Sequence, residues 1–230
     1  VRHCARYGLI GLYIIRPDMR GSGYGLAVWQ AAMQSLQGRT IGLDGVAAQQ
    51  DNDHRSGFEL AHSNARFAGT KAADAMAHRD QRFRVLPLTS FSTAQVVADD
   101  NTCFPEPREG FLSTWIRQPG TVALGVGTPK VVQGYGVLRP CREGFKIGPL
   151  FADWPPLAQA LFCALVNHVP AGQPYFLDIM TTQDEAVALV HWHGKPKCSR
   201  RRACIFRQRP TIRPAAPTAP PVSKWDEGQG

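Results

Sequence analysis

No apolar run in this 230-residue chain approaches the roughly 20 residues that a membrane-spanning helix needs. The opening residues, VRHCARYG, also lack the apolar centre of a secretory signal. The two absences together lead to the expectation of a cytoplasmic globular protein with no membrane partner. Paired C-x-x-C units are missing too. The six cysteines, at 4, 103, 141, 163, 198 and 204, are scattered and read as free thiols of a reducing compartment. His191-Trp192-His193 with Cys198 and Cys204 has the spacing of no common zinc pattern, so no metal is expected.

Net charge is also small over most of the chain. The formal net charge is +8, yet nine Lys and Arg against Asp226 and Glu227 lie between Lys195 and Gly230. The high isoelectric point therefore belongs to a basic tail and not to a basic domain. Without interleaved aromatics or a helical basic face, that tail makes a poor nucleic-acid module, and nucleic acid is not expected as a partner.

What is present is a rhythm of short apolar runs and helices. GLIGLYII (8–15) reads as a strand buried on both faces. A glycine-rich loop follows. LAVWQAAMQSL then repeats Leu26, Trp29, Met33 and Leu36 at helical spacing. RTIGLDGV reads as a second strand, AAQQDNDHRS as a helix stopped by Gly57, and FELAHSNARFAG as a strand or hairpin arm closing a first unit. A second unit shows strands in FRVLPLTS and TVALGV, a helix in PREGFLSTWI, a hairpin from KVVQGYGVLRP and GFKIGPLFA, a helix in PPLAQALFCALV and a strand in YFLDIM. Leu43-Asp44 with Gln49 and Leu177-Asp178 with Gln183 form a faint internal repeat.

The loop RPDMRGSGYG (16–25) carries the chemistry. Successive N–H groups in a glycine-rich turn that opens a helix make a concave donor set for an anion. A flexible strand-to-helix turn would also favour glycine. No Lys-Ser/Thr follows the glycines, which excludes a P-loop. A G-x-G-x-x-G dinucleotide fingerprint fails at its third glycine, which is Leu26 counted from Gly21 or Val28 counted from Gly23.

Arg20-Gly21-Ser22-Gly23-Tyr24-Gly25, between a buried strand and an amphipathic helix, resembles the acetyl-CoA loop of the GNAT acetyltransferase family. The likeness extends over about residues 8 to 69, and CFPEPREGFLSTWI and GYGVLRPCREGFKIGPLFAD look like the degenerate second half of two-domain members. It implies an α/β (α+β) fold with a mixed central sheet of acetyltransferase type in two tandem units. It further implies that the backbone of Arg20, Gly21, Ser22, Gly23, Tyr24 and Gly25 holds the pyrophosphate of acetyl-CoA. Ile14 and Ile15 would hold the pantetheine arm by their backbones, one of their amides facing the thioester oxygen. The implied reaction is direct attack on acetyl-CoA by an amine, small-molecule or protein.

Two departures qualify that picture. The family's proton-donating tyrosine, four residues before Gly57-Phe58, is replaced by Asp53, and Val46 stands where many members have asparagine. Asp53 is the candidate acid provided that burial raises its pKa; with His54 it otherwise reads as part of a solvated helix face. The expected division is 1–70 a partial acetyltransferase domain, 71–84 a linker, 85–194 a second, degenerate domain, and 195–230 a disordered tail. The start reads as truncated and the Arg/Pro-rich tail as the product of a shifted frame. Three functions stay open: an N-acetyltransferase, a noncatalytic coenzyme-binding or structural remnant, and a nucleic-acid binder acting through the tail.

Overall fold

In the computed structural model, which describes residues 6–11, 13–45, 47–72, 83–104 and 107–192, the chain divides into two units between Ser63 and Asn64. Val46, residues 73–82 of the expected linker, His193, Cys198, Cys204 and the whole of 195–230 lie outside the described residues.

In the first unit, β1 (Tyr7–Ile10) runs parallel to β2 (Thr40–Leu43), with Ile10 opposite Leu43 as the last pair. Parallel neighbours need a crossover, and α1 (Tyr24–Ser35) provides it. Its Trp29, and Leu36 just past its end, pack with Ile10, Ile41, Leu43 and Phe58, and Met33 lies against them; Leu26, the fourth position of the predicted stripe, is half-buried outside this cluster. After β2 a short 3-10 turn leads into α2 (Gln50–Arg55), which stops before Gly57 at φ 87°. The first strand is shorter than its apolar run predicts. Hydropathy continues to Ile15, but β2 offers no partner beyond Leu43, and pairing decides where a strand ends.

The second unit is built on a six-stranded sheet in the order β3-β8-β7-β6-β5-β4. Its strands are β3 (Asn64–Thr70), β4 (Val85–Pro87), β5 (Val122–Gly127), β6 (Val132–Pro140), β7 (Phe145–Ala152) and β8 (Pro174–Met180). Neighbours are antiparallel except β7 and β8, which are parallel and joined by α5 (Pro155–Asn167). On one face, α5 and α6 (Asp184–Trp192) pack Leu161, Leu165 and Val190 against Leu138, Ile147 and Leu177. On the other, α3 (Thr93–Cys103) and α4 (Glu109–Trp115) cover Tyr135 and Val137 with Val96 and Leu112. Asp100 of α3 is buried, accepts two hydrogen bonds of 2.8 Å from Arg108 at the start of α4 and a third from the Tyr135 hydroxyl of β6. A fully partnered carboxylate of this kind fixes both helices to the sheet.

Residues 64–70, expected to close the first unit, instead form the edge of the second unit's sheet. Asn64 to Thr70 pair antiparallel with Met180 to Pro174, so β8 has a neighbour from earlier in the chain. Alternation explains the choice. Ala65 and Phe67 enter the core beside Tyr175, Leu177 and Ile179, while Arg66 faces Asp178 across the ladder at 2.7 Å, and Lys146 of β7 binds the same carboxylate.

Burial alone would raise the pKa of Asp178, but hydrogen bonds from Arg66 and Lys146 outweigh it and bring it down to about 2. The folded value lies below the unfolded one, so this stabilisation is complete above pH 4 and is lost as pH falls toward 2. Asp178→Asn should therefore cost about 1–2 kcal/mol at pH 7, the figure being reduced for an ion pair about one third exposed. Urea unfolding followed from pH 7 down to 2.5 should show the gap between the two proteins closing below pH 4.

Both units contain a parallel strand pair, crossed by a helix, that stops pairing at the same kind of step. The last paired residues are Ile10 with Leu43 and Ile147 with Leu177, and the next residue along the leading strand is Gly11 or Gly148. Gln49 and Gln183 each stand directly before the helix that follows.

Candidate active site

In open α/β sheets ligands gather past the carboxyl ends of parallel strands. Past Ile10 the chain of the first unit runs irregularly through residues 13–16, makes a 3-10 turn over Pro17–Met19 and reaches Arg20. The Arg20 guanidinium Nε donates to the Ile15 carbonyl at 3.3 Å and closes this segment into a loop. Arg16 makes an exposed ion pair with Asp18 at 2.8 Å, of small energetic weight.

Gly21 and Gly23 both adopt left-handed backbone, at φ 75° and 82°. That conformation disfavours any residue with a Cβ, and it turns the chain sharply into α1, for which Gly23 is the N-cap. No side chain caps this helix and no acidic residue stands in its first turn. The first bond of the helix runs from the Ala27 N–H to the Gly23 carbonyl at 3.1 Å, so the N–H groups of Tyr24, Gly25 and Leu26 have no acceptor within it. Positive potential and outward-facing donors coincide at an exposed glycine turn, which fits a phosphate. Ile14 and Ile15, placed by the sequence at the end of a strand, lie outside the β1–β2 ladder, and Ile14 is 69% exposed.

The α2 helix holds Asp53. Asp51, His54 and Arg55 face solvent, but Asp53 is only 8% exposed, so the solvated-face reading fails for this one position. Its backbone carbonyl accepts from the N–H groups of Ser56 (3.0 Å) and Phe58 (3.2 Å), which turns the chain so that Phe58 enters the core against Trp29 of α1. Its side chain lies against Gly45, two residues past the end of β2, and Oδ2 is buried without a hydrogen-bond partner. Burial pushes the carboxyl up to about 6. Asp53 therefore has the raised pKa that the sequence set as the condition for an acid. His54, one position along, points elsewhere.

The corresponding places in the second unit are filled differently. After β7 comes Asp153, and α5 opens on Pro155 and Pro156, neither of which has an N–H to offer. Four residues past Gln49 stands Asp53; four past Gln183 stands Val187, which packs on the apolar core. A buried carboxylate does occur in this unit. Asp99 on α3 has an unpartnered Oδ2, and burial, with Asp153 and Asp100 nearby, pushes it to about 6. Sequence reasoning missed α3 altogether, although Ser92 and Gln95 spell its capping box. The Gln95 N–H donates to Ser92 Oγ at 3.3 Å and the Ser92 N–H to Gln95 Oε1 at 2.8 Å. Among the described residues no three His, Cys, Asp or Glu side chains come together as a metal would need, and no helix is long and apolar enough to cross a membrane.

Comparison with known proteins adds a family. A model of the acetyltransferase (GNAT) domain matches residues 96–213, which is the greater part of the second unit and runs beyond the described residues, whereas the likeness seen in the sequence was strongest over 8–69. Holothin acyltransferase of Pseudoalteromonas sp. (strain SANK 73390) is 26% identical over 181 residues, 79% of this chain and 60% of that protein. A putative acetyltransferase of Pyrococcus horikoshii has a similar structure, with a TM-score of 0.68 at 19% identity over 88% of this chain and 65% of that one. A GCN5-related N-acetyltransferase of Kribbella flavida gives 0.59 at 16% identity, covering 86% and 52%. At such identities the structures show a common fold. The chain spans less than two thirds of the length of each of these relatives.

Proposed function

The chain belongs to the acetyltransferase (GNAT) domain family, and on that premise we propose that its first unit transfers an acetyl group from acetyl-CoA to an amine. The observation that carries the reading is the uncapped start of α1 behind two left-handed glycines. Backbone N–H groups between Ser22 and Gly25 hold the pyrophosphate, the Arg20 N–H, expected as a donor, being taken by the Pro17 carbonyl at 3.4 Å; this mode of binding depends on chain path more than on side chains. The thioester supplies an electrophilic carbonyl and a thiolate leaving group. Ile14 and Ile15 flank the pantetheine arm, and a backbone N–H of this pair donates to the carbonyl oxygen as charge builds on it. The amine nitrogen forms the new C–N bond, the C–S bond breaks, and the protonated Asp53 carboxyl gives its proton to the departing sulfur. The amine's surplus proton passes to solvent. In the second unit, Asp153, Pro155 and Pro156 replace the donor loop, so coenzyme is held by the first unit alone.

The named acyltransferase among the relatives widens the reading from acetyl to acyl transfer. A noncatalytic coenzyme-binding role is the second reading, favoured by the aspartate in place of the family's tyrosine. Incubating the full chain with acetyl-CoA and a panel of small amines and lysine peptides, with thiol release and product mass as readouts, separates the two. Amine-dependent thiol release with an acetylated product supports transfer. Coenzyme binding without product supports the second reading.

A further inference from the structure

We infer that Gly45 is a positioning residue for Asp53, its missing side chain being what lets the carboxylate lie buried beyond the end of β2. This rests on the proposed role of Asp53 as the proton donor. A Cβ built on Gly45 would stand 2.5 Å from Asp53 Oδ2 and 3.2 Å from Leu43 Cδ1. The first distance is far inside van der Waals contact, so the carboxylate would have to move.

The backbone gives no other reason for a glycine. Gly45 is not among the glycines with left-handed φ, so alanine fits its conformation without strain. Space for one particular oxygen is what the position provides. The effect on chemistry follows from the surroundings of that oxygen. Oδ2 has no hydrogen-bond partner, and burial is the cause of its raised proton affinity, with no neighbouring charge adding to it. The charged residues of α2, Asp51, His54 and Arg55, face solvent, as does Asp44 on the β2 side, and the Leu43 and Gly45 that flank it carry no charge. A methyl group at 45 would turn the carboxylate outward, where water restores its ordinary acidity and leaves less of the protonated form near neutral pH.

The test is a double-mutant cycle in the full chain with Gly45→Ala, Asp53→Asn and both together. Gly45→Ala is expected to lower kcat about tenfold or more at pH 7, to leave the KM for acetyl-CoA within about threefold, and to move the pH limb near 6 downward. The double variant should be no slower than Asp53→Asn alone, because both changes act through one carboxyl. Wild-type kcat and pH limb in Gly45→Ala, or losses that multiply in the double variant, overturn the inference. An NMR titration of ¹³C-labelled aspartate carboxyls gives a readout independent of turnover. The Asp53 midpoint should fall in Gly45→Ala, and an unchanged midpoint refutes the positioning role even if no acetyl transfer is found in the wild type, a result that would refute the underlying reading instead. If Gly45→Ala alone melts below assay temperature, adding Asp53→Ser should restore folding by removing the clash; failure to restore it counts against the inference.

Discussion

Asp53→Asn lowers kcat for acetyl transfer at pH 6 by about 10²-fold or more, the usual weight of a positioned proton donor, and leaves the KM for acetyl-CoA within about threefold. The amide keeps the shape of the side chain and has no proton to give to a thiolate. In the wild type the donor form is filled below about pH 6, the value to which burial raises this carboxyl. Above it, kcat should fall by about tenfold per pH unit. A rate that rises through pH 6 to a plateau would instead make Asp53 a base. The substitution should move stability the other way from activity. The folded pKa lies above the unfolded 3.8, so the penalty is absent below pH 3.8, grows between 3.8 and 6 and is complete above 6. At pH 8 Asp53→Asn should therefore be more stable by up to about 3 kcal/mol, whereas Asp178→Asn is less stable. A buried carboxylate that weakens the fold at neutral pH is what a functional group looks like when stability and activity compete.

Gly23→Val raises the KM for acetyl-CoA by about thirtyfold or more, with kcat at saturating acetyl-CoA held within about threefold. Forcing a residue with a Cβ into left-handed backbone costs about 1–2 kcal/mol, and a branched side chain beside the first turn of α1 obstructs the phosphate's approach to the N–H groups. Gly172→Val separates strain from function. Gly172 has φ 77°, close to the 82° of Gly23, and a Cβ there would meet nothing within 4 Å. Both variants should lose stability in urea unfolding; Gly23→Val alone should lose affinity for acetyl-CoA.

The local parts of this fold were legible in the sequence. Trp29, Met33 and Leu36 mark one face of α1, Gly57 ends α2, and PPLAQALFCALV marks α5, because those signals lie within a few residues of one another. What depends on distant partners was not legible. Ile14 and Ile15 are as apolar as the strand before them, yet β1 ends at Ile10 because β2 ends at Leu43. Arg66 and Phe67 read as the close of the first unit, but their partners, Asp178 and Leu177, are more than a hundred residues away. Asp53 shows the same limit within the site. In DNDHR five polar residues conceal the one turned inward, and its burial and its contact with Gly45 show which it is.

On the proposed reading one loop of this chain, the one at Arg20–Gly25, holds coenzyme A. Calorimetric titration of coenzyme A into the full chain tests it most directly. One equivalent should bind per chain, weakened about thirtyfold or more by Gly23→Val and unaffected by substitution of Pro155 and Pro156. Two equivalents, none, or one whose affinity is indifferent to Gly23→Val would contradict it.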